Sequence, residues 1–241
     1  MIVLAVDTSM TSGTVGIVYF NDDNDHDAVL YESVIQRVDT HNKRLLPEVD
    51  RALKATGLNL KDVDLFCVGI GPGSFTGLRI SVTTVKCLAW SLNKPVVGVP
   101  SLDALAVPFA WSPLSVCPLI DARKKEVYWT VFKCNGTGAL NRICDYMVSP
   151  PEEIFNTSIL DGPTIFCGDG RKVFRSFLIK TGSQLAREAP PIFDSVRASS
   201  IAFLGYRRFR RGNVDDPLTL VPLYIRPSGA EIKNPNIRIP G

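Results

Sequence analysis

The segment from Phe75 to Leu92 constrains this chain more than any other. Its apolar residues repeat at helical spacing, with Phe75, Leu78, Val82, Val85, Ala89 and Leu92 on one stripe. Ile80, Thr84, Cys87 and Ser91 form a second stripe of mostly small residues on the other side, and Arg79 and Lys86 are the only charges. A helix that is apolar nearly all round must be covered on two sides. One side can lie on a sheet, and the other needs either a second lobe of the same chain or another protein. A helix around Leu45 to Leu53, closed by Gly57, shares that need. The expected contact surface is therefore built on Leu45, Leu46, Val49, Ile80, Thr84, Cys87 and Ser91.

The flanking segments supply the sheet. Ile2 to Val6 reads as a buried strand, and Thr14 to Phe20 and Ala28 to Arg37 alternate, which predicts an antiparallel meander. Pro47 makes the first helix either start or bend there. Leu65 to Ile70 is a continuous apolar strand, Gly71 to Gly77 a loop, and Pro95 to Val99 a short strand. Three strands, helix, strand, helix, strand is the ribonuclease-H-like order, an α/β fold with a mixed sheet flanked by helices. The second half starts again. Ser115 to Asp121, Glu126 to Phe132 and Arg142 to Val148 read as strands, followed by a helix near Glu152, a strand at Thr164 to Cys167 and two helices. Ala5-Val6-Asp7-Thr8 matches Leu119-Ile120-Asp121-Ala122 at the end of each first strand. Two tandem lobes of this kind define the actin, sugar-kinase and Hsp70 architecture. The expected division is 1–107 for the first lobe, with the partner-binding helices, 108–226 for a degenerate second lobe, and 227–241 for a tail rich in Pro, Asn and Gly.

Composition excludes several classes. The chain has 241 residues with 45% apolar and 21% charged, enough to pack a core. A formal charge of +3 gives no nucleic-acid signature by itself. Six cysteines, none at CxxC spacing, read as reduced core residues. Asp7 ends the first apolar run too early for a signal peptide, and Pro108, Pro113 and Pro118 interrupt the longest uncharged stretch, Ala104 to Ile120. The expectation is a cytoplasmic chain that does not engage a membrane.

Candidate chemistry is sparse. Asp7-Thr8-Ser9 follows a buried strand, where a turn can cradle phosphate through N–H groups and hydroxyls, with a carboxylate acting through magnesium. Equally, Asp7 can cap nearby backbone N–H groups. Gly71-Pro72-Gly73-Ser74-Phe75-Thr76-Gly77 joins a strand to a helix, with Ser74 as a natural N-cap. It is neither a Walker A loop nor GxGxxG, so close packing is favoured over phosphate binding. Asp7, Thr8, Ser9, Gly73 and Ser74 remain the candidate nucleotide or phosphate positions. Asp23, Asp25 and Asp27 mimic the start of an EF-hand loop, but Ala28 and Val34 stand where glycine and glutamate are required. A solvated hairpin tip is the better reading of Asn21 to Asp27. The two histidines, His26 and His41, form no HExxH or HxxxH pair, so no metal site is expected. Gly168-Asp169-Gly170 reads as another strand-to-helix turn.

Ala5-Val6-Asp7-Thr8-Ser9, His41 with Leu45-Leu46-Pro47, and Gly69 to Arg79 (GIGPGSFTGLR) together resemble the TsaB family, also called YeaZ. Val99 to Ala106, Asp121-Ala122-Arg123 with Glu126-Val127-Tyr128, and Pro222 to Arg226 extend the resemblance over nearly the whole chain. It implies a non-catalytic scaffold subunit that heterodimerises with TsaD, the larger relative that transfers threonylcarbamoyl to N6 of adenosine 37 in tRNA. TsaE, an ATPase, would be a third partner, and tRNA would be met through the complex. The resemblance implies no cofactor required by this chain, with weak ATP or ADP binding at the TsaD interface as the exception. In isolation the same face can pair two copies of the chain. The competing readings are a catalytic two-lobed phosphotransferase of the sugar-kinase type, a ribonuclease-H-like nuclease and a metallopeptidase. Asp7 and Thr8 favour the first. The second lacks further carboxylates, because the fourth strand ends Gly69-Ile70-Gly71, and the third lacks a histidine pair.

Overall fold

The structure, a computed structural model, describes residues 1–21, 26–36, 41–156, 158–181 and 185–226. The expected tail and Asp22, Asp23 and Asp25 of the acidic segment lie outside the described residues. The first half contains β1 (Ile2–Asp7), β2 (Gly13–Tyr19), β3 (Ala28–Ile35), α1 (His41–Thr56), β4 (Leu65–Gly71), α2 (Phe75–Ser91), β5 (Val96–Pro100) and α3 (Ser101–Ala106). Its sheet has the order β3-β2-β1-β4-β5. The first three strands are antiparallel, and β4 and β5 join parallel to β1.

The second half contains β6 (Ser115–Arg123), β7 (Glu126–Trp129), β8 (Phe132–Cys134), β9 (Leu140–Arg142), β10 (Met147–Ser149), α4 (Glu152–Asn156), β11 (Thr164–Cys167), α5 (Arg171–Thr181), β12 (Ala186–Glu188) and α6 (Ala198–Arg210). Its main path runs β10-β7-β6-β11-β12, with β8 and β9 as a side hairpin. Senses match the first sheet strand for strand. The fold is two ribonuclease-H-like sheets in tandem, each flanked by helices.

Strand alternation divides the core. In β1 and β4, Val3, Ala5, Leu65 and Cys67 point between the sheets, while Leu4, Val6, Phe66 and Val68 point under α1 and α2. The two helices that follow β5 and β12 fill the space between the sheets. α3 lies on β6, and α6 lies across β1, β2, β4 and β5. Residue 107 lies between the last strand of the first sheet and the first strand of the second, and the last helix of the second half packs on the first sheet. The outer face of the second sheet is closed by Ile154 and an aromatic cluster of Phe155, Phe166, Phe174 and Phe177, with Phe166 and Phe174 4.6 Å apart.

Several boundaries differ from expectation. α1 starts at His41, and Pro47 lies inside it. Proline there removes only the bond to the carbonyl of residue 43, and buried Leu45, Glu48, Val49 and Ala52 anchor the helix regardless. The expected strand Glu126 to Phe132 is β7 and β8, and Arg142 to Val148 is the end of β9 and the start of β10. Thr130 and Val131 cause the split. The Thr130 hydroxyl donates to the Cys144 carbonyl at 2.8 Å, and the Ile143 amide donates to the Val131 carbonyl at 2.9 Å, so the ladder breaks there. Helix α3 and strand β12 have no counterpart in the sequence reading. All six cysteines are free; Cys67, Cys117 and Cys167 are buried, and Cys87 is exposed.

Candidate functional site

The end of β1 and the start of α2 form one tightly joined unit. Asp7 is buried and its carboxylate is fully engaged. One oxygen accepts from the Ser9 amide at 2.8 Å and the Ser9 hydroxyl at 2.7 Å, and the other accepts from the Ser101 hydroxyl at 2.6 Å. The Gly71 amide donates to that same Ser101 oxygen at 3.2 Å. Burial pushes the Asp7 carboxyl above its ordinary range, and the hydrogen bonds from Ser101 and Ser9 oppose the rise. The Thr8 hydroxyl donates to the Gly77 carbonyl at 2.7 Å, and the Ser74 amide donates to the Ser9 carbonyl at 2.6 Å. Ser74 caps α2 by accepting from the Gly77 amide at 3.3 Å.

Two glycines make this closeness feasible. A Cβ on Gly73 would stand 2.2 Å from the Ser9 carbonyl oxygen, and one on Gly77 would stand 2.0 Å from that of Thr8. The glycine-rich loop thus clamps the Asp7 turn with its backbone. Asp7, Thr8, Ser9, Gly73 and Ser74 are all brought together here, and their polar atoms serve one another. The space beside Thr8, bounded by Thr14, Arg44 and Leu45, measures about 20 Å³, room for a water. A larger cavity of about 360 Å³ lies between Gln36 and the start of α5, lined by Arg171, Lys172, Arg175, Pro191 and Asp194. Its buried cation, Arg171, is held by Asp194 through two 2.8 Å bonds and by Glu188 at 3.1 Å.

The corresponding turn of the second sheet is different. The Asp121 amide donates to Asp169 at 3.0 Å, and burial pushes the Asp169 carboxyl up to about 6. Beyond Asp121 the turn carries Arg123, Lys124 and Lys125, all exposed.

The outer side of α2 is a second candidate surface. Leu78, Ser81, Val82, Val85 and Ala89 are buried toward the sheet. Phe75, expected on that stripe, instead meets Tyr224, with ring centroids 5.2 Å apart. The chain's last described segment runs along this flank. Lys86 donates to the Leu220 carbonyl at 3.1 Å, and the Leu223 amide donates to the Ile70 carbonyl at 2.7 Å. The rest of the helix has no such cover among the described residues. Cys87 and Ser91 are exposed, Ile80 and Thr84 are half-buried, and Trp90 is 66% exposed. On α1, Leu45 and Val49 are buried, whereas Leu46 is 52% exposed. Of the seven expected contact residues, five therefore reach the surface and two belong to the core. Sequence reading missed Ser101, 94 positions from Asp7, and Trp90, whose exposure no periodicity reveals.

Among the described residues, no three His, Cys, Asp or Glu side chains group as a metal site, and no helix is long and apolar enough to cross a membrane.

A family model described as TsaD, tRNA N6-adenosine threonylcarbamoyltransferase, matches residues 32–234. The tRNA threonylcarbamoyladenosine biosynthesis protein TsaB of Bacillus subtilis (strain 168) is 30% identical over 234 residues, 97% of each chain. The chain belongs to the TsaB family. The TsaB protein of Escherichia coli (strain K12) is 38% identical over 101 residues, which are 41% of this chain and 43% of that one. Among solved structures, YeaZ from Pseudomonas aeruginosa superposes with a TM-score of 0.76 at 28% identity, covering 93% of this chain and 99% of its own. The likeness to TsaB and YeaZ spans both sheets, so the clamped Asp7 turn and the uncovered α2 face both lie within the shared structure.

Proposed function

We propose that this chain is the non-catalytic scaffold subunit of the tRNA threonylcarbamoyladenosine machinery, working by heterodimerisation with TsaD. Membership of the TsaB family carries the pathway. The side of α2 that is uncovered among the described residues carries the pairing. It presents Cys87, Ser91, Trp90 and, from α1, Leu46 to solvent, although the helix is too apolar to be a solvated face. Small residues at Thr84, Cys87 and Ser91 let a partner helix approach closely. The absence of a scaffolded nucleophile or base at the Asp7 turn leaves the transfer chemistry to the partner, because the Asp7, Thr8 and Ser9 groups are spent on internal bonds. TsaE and tRNA would join through that complex, and any nucleotide would sit at the shared interface.

The test is co-purification with TsaD followed by a tRNA modification assay. Cys87→Glu places a charge at the centre of the apolar face without entering the core. It is expected to abolish pairing and modification while leaving the melting temperature within a few degrees of wild type. Undiminished pairing by that variant would remove this surface from the account.

A further inference from the structure

The tip of the β6–β7 hairpin is built against the preference of its own backbone. Arg123 pairs with Glu126, so Lys124 and Lys125 are the two central residues of the turn. Their φ values are 53° and 65°, and that of Arg123 is 65°. Positive φ at both central positions is the requirement of a type I′ turn, which favours Asn-Gly or another pair tolerant of left-handed backbone. Side chains such as lysine destabilise the turn there. Solubility does not select Lys-Lys, since Asn, Asp and Gly are equally soluble and suit the geometry better. A run of three basic residues in that conformation points to a use for their charge.

The surroundings suit a nucleic acid. All three side chains are exposed, and among the described residues neither lysine has a hydrogen-bond or ion-pair partner. Arg226 pairs with Glu126 at the base of the tip. Two residues before it, Tyr224 is 39% exposed and its hydroxyl accepts from Arg79 at 3.2 Å. The Arg79 guanidinium lies 4.1 Å over the Phe75 ring. The strip thus alternates cations with aromatic faces, the combination that holds a sugar-phosphate backbone and stacks on unpaired bases.

We infer that the Arg123-Lys124-Lys125 tip, with Arg226, Tyr224 and Arg79 beside it, docks on the phosphate backbone of RNA. The identity of that RNA as tRNA rests on the functional reading above. The test uses Lys124→Asn/Lys125→Gly in the full chain, alone and with TsaD, against an unmodified tRNA transcript over a salt series. The variant is expected to keep its fold and its pairing with TsaD. It should bind the transcript about 10-fold more weakly, with a log–log salt slope shallower by about 1.5. Lys124→Arg/Lys125→Arg should retain both affinity and slope. Unchanged affinity and slope in the Asn-Gly variant would overturn the inference. Loss of TsaD pairing with full transcript binding would also overturn it, by assigning the tip to a protein partner. A wild-type chain that binds transcript through this tip but never pairs with TsaD would support the inference and sink the functional reading instead.

Discussion

The β1–β2 turn and the β6–β7 turn occupy the same place in two copies of one topology and are made of opposite materials. The first begins at Asp7 and is buried; its Ser9 amide and hydroxyl donate back to Asp7, its Thr8 hydroxyl donates to Gly77 of α2, and the second Asp7 oxygen accepts from Ser101. The second begins at Asp121, rises into solvent, and ends in three cations on left-handed backbone. A duplicated fold therefore leaves one turn free to become a structural clamp while the other stands exposed. The helices diverge in the same way. α5 closes an aromatic core, whereas α2 closes one core and has a second side, of mostly small residues with Trp90, that is uncovered among the described residues.

That contrast can be broken by substitutions on either side of it. Gly77→Ala should have the largest effect. Its Cβ would meet the Thr8 carbonyl 2.0 Å away, and backbone cannot yield as a side chain does. A loss of about 3 kcal/mol in chemical denaturation is expected; wild-type stability would show that the clamp is loose. Ser101→Ala removes the hydroxyl that donates to Asp7 and accepts from Gly71, and leaves a buried carboxylate oxygen unpaired. It should cost about 2 kcal/mol.

Asp169 supplies a pH test in the second lobe. Its carboxyl sits at about 6 in the fold against 3.8 when free, so the folded state binds the proton more tightly. Its contribution is fully present below pH 3.8 and is lost as pH rises through about 6. Asp169→Asn should remove that decline, with a gain on the order of 1–2 kcal/mol at pH 7.5. Melting curves from pH 4 to pH 8 that fall equally in both proteins would contradict it. Smallest is the tip itself. Lys124→Asn/Lys125→Gly should raise stability by about 1 kcal/mol, since the new pair accepts positive φ. Removing a glycine thus weakens one turn, and introducing one relaxes the other.

Much of the architecture is legible in the sequence because burial on both faces of β1 and β4 produces unbroken apolar runs, and α2 has a clear period. The matched Asp7 and Asp121 mark the repeat. What escapes is non-local. β12 has three residues, Ala-Arg-Glu, held by parallel pairing to β11, and carries no pattern of its own. The splitting of β7 from β8 depends on Thr130 meeting Cys144, fourteen residues on. At the candidate surfaces, Phe75 and Lys86 are turned to the flank by the segment from Leu218 to Tyr224, a contact no periodicity predicts. Lys124-Lys125 hides its strain because sequence signals for hairpin turns are read from Asn and Gly, and neither is present.

The central claim is that the uncovered side of α2 exists to be sealed by a catalytic partner. Reconstitution of tRNA modification from purified TsaD and TsaE, threonylcarbamoyl-AMP and tRNA tests it most directly, with wild-type chain, with Cys87→Glu, or with neither. Modification only with the wild-type chain is the predicted result. Modification by TsaD and TsaE without it, or wild-type modification with Cys87→Glu, would contradict the account.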